Sequence, residues 1–170
     1  MGLLDFFKRK KKDEVASESC HDNSSIQEEY NKQKHLLDQL SNTQKAAYLV
    51  VLNSFVIVFI AKDTIHWNEA EELINARTDM LGITYQYAKS QITDGEMIST
   101  VLQTIDNKEI TSILLKDMKR LFDIVVNMNL FLKDGTERNY RAIDVLNGVF
   151  IPLGYKQNEI IDPNDYIHKY

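Results

Sequence analysis

Apolar residues recur at three- and four-residue steps along most of this chain, and no segment alternates as a half-buried strand would. Over residues 107–132, Ile110, Leu114, Leu121, Val125 and Met128 form one stripe, with Lys116, Lys119 and Asp123 between them. That pattern predicts an amphipathic helix packed along one side. Residues 68–81 follow the same rule through Leu73, Ile74, Arg77 and Leu81, and Gly82 stands where a left-handed residue ends a helix. Residues 45–62 differ in being apolar on nearly all sides. Their uncharged stretch from Ala46 to Ala61 has 16 residues, about 24 Å of helix, short of the roughly 20 residues that a bilayer core requires. Asn53 and Ser54 also interrupt its middle, so the segment is predicted to be the buried centre of a bundle rather than a membrane span.

Helix starts are marked by residue pairs with capping-box spacing, in which two side chains satisfy each other's orphan amides. Ser41 with Gln44, Asn68 with Glu71, Thr93 with Glu96 and Asp106 with Glu109 all fit. The resulting reading is all-α, with seven helices near residues 26–39, 42–61, 68–81, 84–92, 95–105, 107–132 and 138–151. Pro152 stops the last of these. The first carries Tyr30 and Leu37 on its apolar side, a face that suits its own bundle or another chain equally well.

One unit occurs twice. FIAKDTIHWNEAEELINARTDMLGITY, residues 59–85, is answered by LFLKDGTERNYRAIDVLNGVFIPLGYK, residues 130–156. Each copy runs from an apolar helix end into Lys-Asp, then a polar loop, an amphipathic helix and a closing Leu-Gly. A duplicated helix–loop–helix unit exposes an apolar face that only a partner unit covers, so the fold is predicted to be a bundle of two similar halves.

Composition narrows the function classes. A net charge of −5 gives no overall basic field to displace phosphate counterions, which argues against nucleic acid as a partner. The single cysteine, Cys20, lies in a polar stretch and supports neither a disulfide framework nor a metal knuckle, in keeping with a reducing cytoplasm. At the N-terminus MGLLDFF precedes KRKKK, the reverse of a secretory signal, and Phe6 stands where acylation wants Ser or Thr. Two readings stand for residues 1–12. In one, Leu3, Leu4, Phe6 and Phe7 enter an interface while Lys8, Arg9, Lys10, Lys11 and Lys12 meet anionic lipid or an acidic partner. In the other the segment is a soluble tail. Residues 13–25 are polar and acidic and read as a linker, so residues 1–25 form a flexible tail and 26–170 the helical domain.

The candidate chemistry is sparse. Asp63, His66, Glu69 and Glu72 offer oxygen and imidazole ligands in the first copy, and Asp134, Glu137 and Asp144 join them if the two loops pack together. A hard divalent cation suits such oxygens, although no calcium-loop pattern is present, so weak binding is the most that this set implies. The same residues also fit a purely architectural role, with Asp63 and Asp134 bonding loop amides and first-turn glutamates complementing the helix dipole. His21, His35, His66 and His168 are scattered, and no nucleophile elbow, zinc-protease motif, phosphate loop or dinucleotide fingerprint occurs. No enzyme is predicted.

An apolar helix ending in Ala61-Lys62-Asp63, the acidic run Glu69, Glu71 and Glu72, and the Leu81-Gly82 finish together resemble the TerB-like domain. Lys133-Asp134-Gly135, Glu137 and Leu153-Gly154 repeat the pattern, and the resemblance covers residues 38–162. Thr64 departs from it where Gly is usual, as do Lys62 and Lys133 before the aspartates and Arg138, Tyr140 and Arg141 in place of acids. The resemblance implies an all-α bundle of two halves, a cytoplasmic setting reaching the inner face of the membrane, and kinship with bacterial tellurite-resistance proteins and J-domain co-chaperones. The leading functional expectation is a non-enzymatic, stress- or envelope-associated module that binds a protein partner through its acidic loops. The alternatives are a divalent-metal-binding stress protein using Asp63 and Asp134, with Glu69, Glu72 and Glu137 as further ligands, and a peripheral membrane scaffold tethered by residues 1–12.

Overall fold

The structure, a computed structural model, describes residues 22–62 and 64–162. These form eight helices and no strand: α1 (Asp22–Asp38), α2 (Asn42–Phe59), α3 (Ile65–Leu81), α4 (Tyr85–Gln91), α5 (Gly95–Gln103), α6 (Lys108–Asn129), α7 (Gly135–Phe150) and the single turn α8 (Gln157–Ile160). The all-α bundle anticipated from the periodicity is therefore what the chain adopts. Helix α1 begins inside the segment expected to be linker, and α8 was not anticipated.

Helix α2 is the axis of the bundle. It packs on α3, α4, α5, α6 and α7, and Tyr48, Leu49, Leu52 and Phe55 along it are almost fully buried. That is why its sequence is apolar on every side rather than on one stripe. Asn53, the polar interruption, donates to the Leu49 carbonyl one turn back at 2.8 Å, so its amide costs the core little. No helix among the described residues is long and apolar enough to cross a membrane.

The duplicated sequence becomes two helix–loop–helix units, α2–α3 and α6–α7, bridged by α4 and α5. The α6 stripe is buried at Ile110, Leu114, Leu121 and Val125. Helix α1 packs on α3 and α6, with Ile26 and Leu37 inside, which answers the ambiguity of its apolar face in favour of its own bundle. Gly82 ends α3 at φ 69°, the left-handed geometry predicted for it.

Only one of the four expected caps lies where the spacing put it. Ser41 and Gln44 form a reciprocal capping box at α2. Helix α5 is capped one residue later than expected by Asp94, which accepts from Met97 N at 2.8 Å. Helix α6 is capped by Asn107, again one residue on, accepting from Glu109 N. Asn68 caps nothing, because α3 starts a turn earlier. Thr64 accepts there from Trp67 N at 3.2 Å and donates to the Ala61 carbonyl at 2.9 Å. One hydroxyl thus satisfies a donor of the new helix and an acceptor of the preceding loop, which no Asn68 start offers.

A buried polar network ties α1, α2, α3 and α6 together. Arg77 Nε and Nη2 donate to the two carboxylate oxygens of Asp117 at 2.8 and 3.0 Å, and Tyr48 Oη donates to Asp117 Oδ2 at 2.5 Å. Arg77 Nη1 reaches Gln33 Oε1 of α1 at 2.9 Å. Burial opposes the Arg77 charge, but Asp117 more than offsets it and holds the guanidinium protonated. Burial, aided by the adjacent carboxylate, pushes the Tyr48 hydroxyl well above its usual range.

Candidate functional site

The first Lys-Asp loop leaves α2 beside the last turn of α6, from which the second loop departs. Ala61 N, just past the end of α2, donates to Met128 Sδ in the last turn of α6 at 3.4 Å. The loops are built differently. In the first, Thr64 closes the turn as described above. In the second, the turn tightens through successive three-residue bonds, Leu132 N to the Asn129 carbonyl at 3.1 Å and Gly135 N to the Leu132 carbonyl at 3.0 Å. A Cβ at position 135 would sit 2.1 Å from the Asn129 carbonyl oxygen, so this close approach requires glycine. Beneath it, Asn129 Nδ2 donates to the buried Asn139 Oδ1 at 2.9 Å and pins α7 to α6.

This geometry shortens two expected helices at their C-terminal ends. Helix α6 stops at Asn129 rather than running to 132, and α2 stops at Phe59 rather than 61. Leu130, Phe131 and Leu132 are therefore loop residues, and all three are exposed. Phe131 is 92% exposed, whereas Ile60, its counterpart in the first copy, is 3% exposed. The repeat does not need an apolar residue in solvent at this position, since the first copy buries one. Ile57 and Val58 in the last turn of α2, and Ile65 at the start of α3, add exposed apolar surface at the same end.

Among the described residues, the predicted acidic ligands do not gather in a group of three. Asp134 makes no helix-capping bond and accepts from Arg138 Nε at 2.8 Å. That hydrogen bond holds its carboxyl below the usual carboxylate range. Glu137 is paired in the same way with Arg141. The two arginines that depart from the acidic pattern thus neutralise the acids that keep it. Glu69 is exposed and Glu72 half-buried on α3. Among the described residues no three His, Cys, Asp or Glu side chains gather as a metal site would require. Asp63 lies outside the described residues, as do Leu3, Leu4, Phe6, Phe7 and Lys8 to Lys12.

A concavity lies elsewhere. A groove of about 770 Å³ between α1 and α6 is lined by Glu28, Lys32, Leu36, Lys108, Ile113 and Tyr155 among others. Its charges alternate in sign, and Lys32 already faces Glu109 at 3.8 Å. Tyr155 Oη is hydrogen-bonded to Thr111 and its ring lies under Lys108 Nζ. A second recess of about 440 Å³ reaches Arg77 and Asp117, but all three Arg77 guanidinium nitrogens have partners within the protein.

Sequence reasoning missed the apolar end. The available signal was the run Leu130-Phe131-Leu132, which continues apolar on consecutive positions after the α6 stripe has closed at Met128. Consecutive apolar residues cannot all face one side of a helix. Compared with known proteins, the chain matches no family model, no curated protein and no solved structure.

Proposed function

We propose that this protein is a non-enzymatic interaction module of TerB-like architecture, whose working surface is the end where the two loops pair. The observation that carries this reading is Phe131, 92% exposed on a turn held by Gly135 and flanked by two further exposed leucines. Exposed apolar residues clustered at one place, rather than scattered singly, mark interaction surfaces. The acidic-loop version of the proposal is modified accordingly. With Asp134 and Glu137 each held by an arginine, the second loop offers apolar contact area rather than free negative charge.

Site-specific photocrosslinking in the native cells tests it. A benzophenone amino acid in place of Phe131 is expected to give discrete adducts, to a protein or to lipid, while the same group in place of exposed Thr100 on α5 gives none. Equal labelling from both positions would defeat the assignment of the working surface to this end.

A further inference from the structure

The inference that follows rests on the reading of the paired-loop end as the working surface and names its partner. We propose that this end docks on an anionic lipid surface, with Phe131 entering the acyl region and Lys133 meeting headgroup phosphates.

Three observations carry it. First, the apolar residues project from a turn instead of lining a groove: Phe131 is 92% and Leu132 44% exposed. A projecting aromatic tip suits a fluid apolar medium, which needs no preformed pocket to receive it. Second, Lys133 directly follows the exposed apolar run and is itself exposed, whereas Lys62, behind the buried Ile60, lies over the Trp67 ring. A lysine directly behind an apolar tip places its ammonium at headgroup depth while its stem stays among apolar groups.

Third, the local charge of the loop that carries Phe131 fits a negative surface although the whole chain does not. The chain carries −5, yet residues 130–141 hold three cations, Lys133, Arg138 and Arg141, against two anions. Those anions, Asp134 and Glu137, are each paired with an arginine. The exposed Glu69 and Glu71 of α3 begin one turn beyond Ile65, about 6 Å along a helix that runs back down the bundle. The order of apolar residues followed by Lys and Arg also recurs in the sequence at Leu3 to Lys12. Two weak anchors on one chain bind a surface far better than either alone.

Flotation of the full chain with vesicles tests the proposal, using phosphatidylcholine alone against phosphatidylcholine mixed with phosphatidylserine. Binding is expected only with phosphatidylserine. Phe131→Glu is expected to weaken it about ten- to hundredfold, the partitioning of one phenyl side chain. Lys133→Gln is expected to weaken it about fivefold, one lysine at an anionic surface. Since Phe131 is exposed, Phe131→Glu should leave the melting temperature unchanged, and circular dichroism verifies that it folds. As a second readout, an environment-sensitive dye on Phe131→Cys in a Cys20→Ser background should shift to the blue with anionic vesicles. Failure of the full chain to float, or equal flotation of Phe131→Glu, overturns the proposal. A Phe131-dependent dimer in sedimentation, without flotation, also overturns it by making a second copy the occupant. In that case, or if the Phe131 photoadducts are protein, the interaction reading survives. If the adducts are absent as well, both fall.

Discussion

Arg77 and Asp117 form a two-pronged ion pair between α3 and α6, with both side chains buried and Tyr48 bonded to the same carboxylate. Asp117 thereby accepts three hydrogen bonds. Such a pair is worth little more than well-packed apolar residues in its place, but removing one member strands a charge. Asp117→Ala is therefore expected to cost about 3–5 kcal/mol, whereas the double replacement Arg77→Met, Asp117→Leu should recover most of that loss. Urea unfolding of the two variants checks it. Equal destabilisation by both would mean that the network contributes outright stability rather than a specific arrangement of α1, α3 and α6.

Tyr48 gives this network a pH dependence. Its folded pKa is raised, so the native state holds the phenolic proton more tightly than the unfolded chain does. The resulting stability is fully present below the unfolded tyrosine pKa of about 10 and is lost as pH rises above it. The melting temperature of the wild type should fall more steeply between neutral pH and alkaline pH than that of Tyr48→Phe. Parallel profiles for the two proteins would remove Tyr48 from alkaline unfolding.

Gly135 and Gly82 separate two reasons for a glycine. At Gly135 a Cβ would collide with the Asn129 carbonyl, so Gly135→Ala must open the loop, at about 3 kcal/mol. Gly82 has open space around it but φ at +69°, so Gly82→Ala is expected to cost about 1 kcal/mol for the left-handed backbone alone. Thermal unfolding ranks the two, and the reverse order would contradict the loop geometry that exposes Phe131.

The start of α3 is testable at its cap. Thr64→Ala removes both of its local hydrogen bonds and should cost about 1 kcal/mol. Asn68→Ala, in the exposed first turns of the same helix, should lie within about 0.5 kcal/mol of wild type. A larger effect at Asn68 would restore the later start that capping-box spacing suggested.

Much of the fold was legible because local physics dictates it. The α6 stripe, the apolar α2, Gly82 and the Ser41–Gln44 box all act over one or two helical turns, within reach of a sequence pattern. The displaced caps at Asp94 and Asn107 show the limit of such patterns. Neighbouring polar residues compete for one amide, and the approach of the preceding chain chooses between them.

The candidate site was less legible. Its carboxylates were visible as residue types, but their partners Arg138 and Arg141 lie one turn on, and the pairing leaves neither Asp134 nor Glu137 an unpaired negative charge. The apolar tip was hidden by carrying α6 three residues too far.

What the chain's own sequence determined was its secondary structure and its two-copy plan, since hydrophobic period and end signals need only near neighbours. Only the tertiary structure decided which apolar residues stay outside and which charges go in. Phe131 and Ile60 occupy matching positions, yet one is in solvent and the other buried. Arg77 looks like one more stripe position until Asp117, 40 residues away, meets it in the core. Burial is a property of what packs against a residue, and that is settled by contacts between helices distant in sequence.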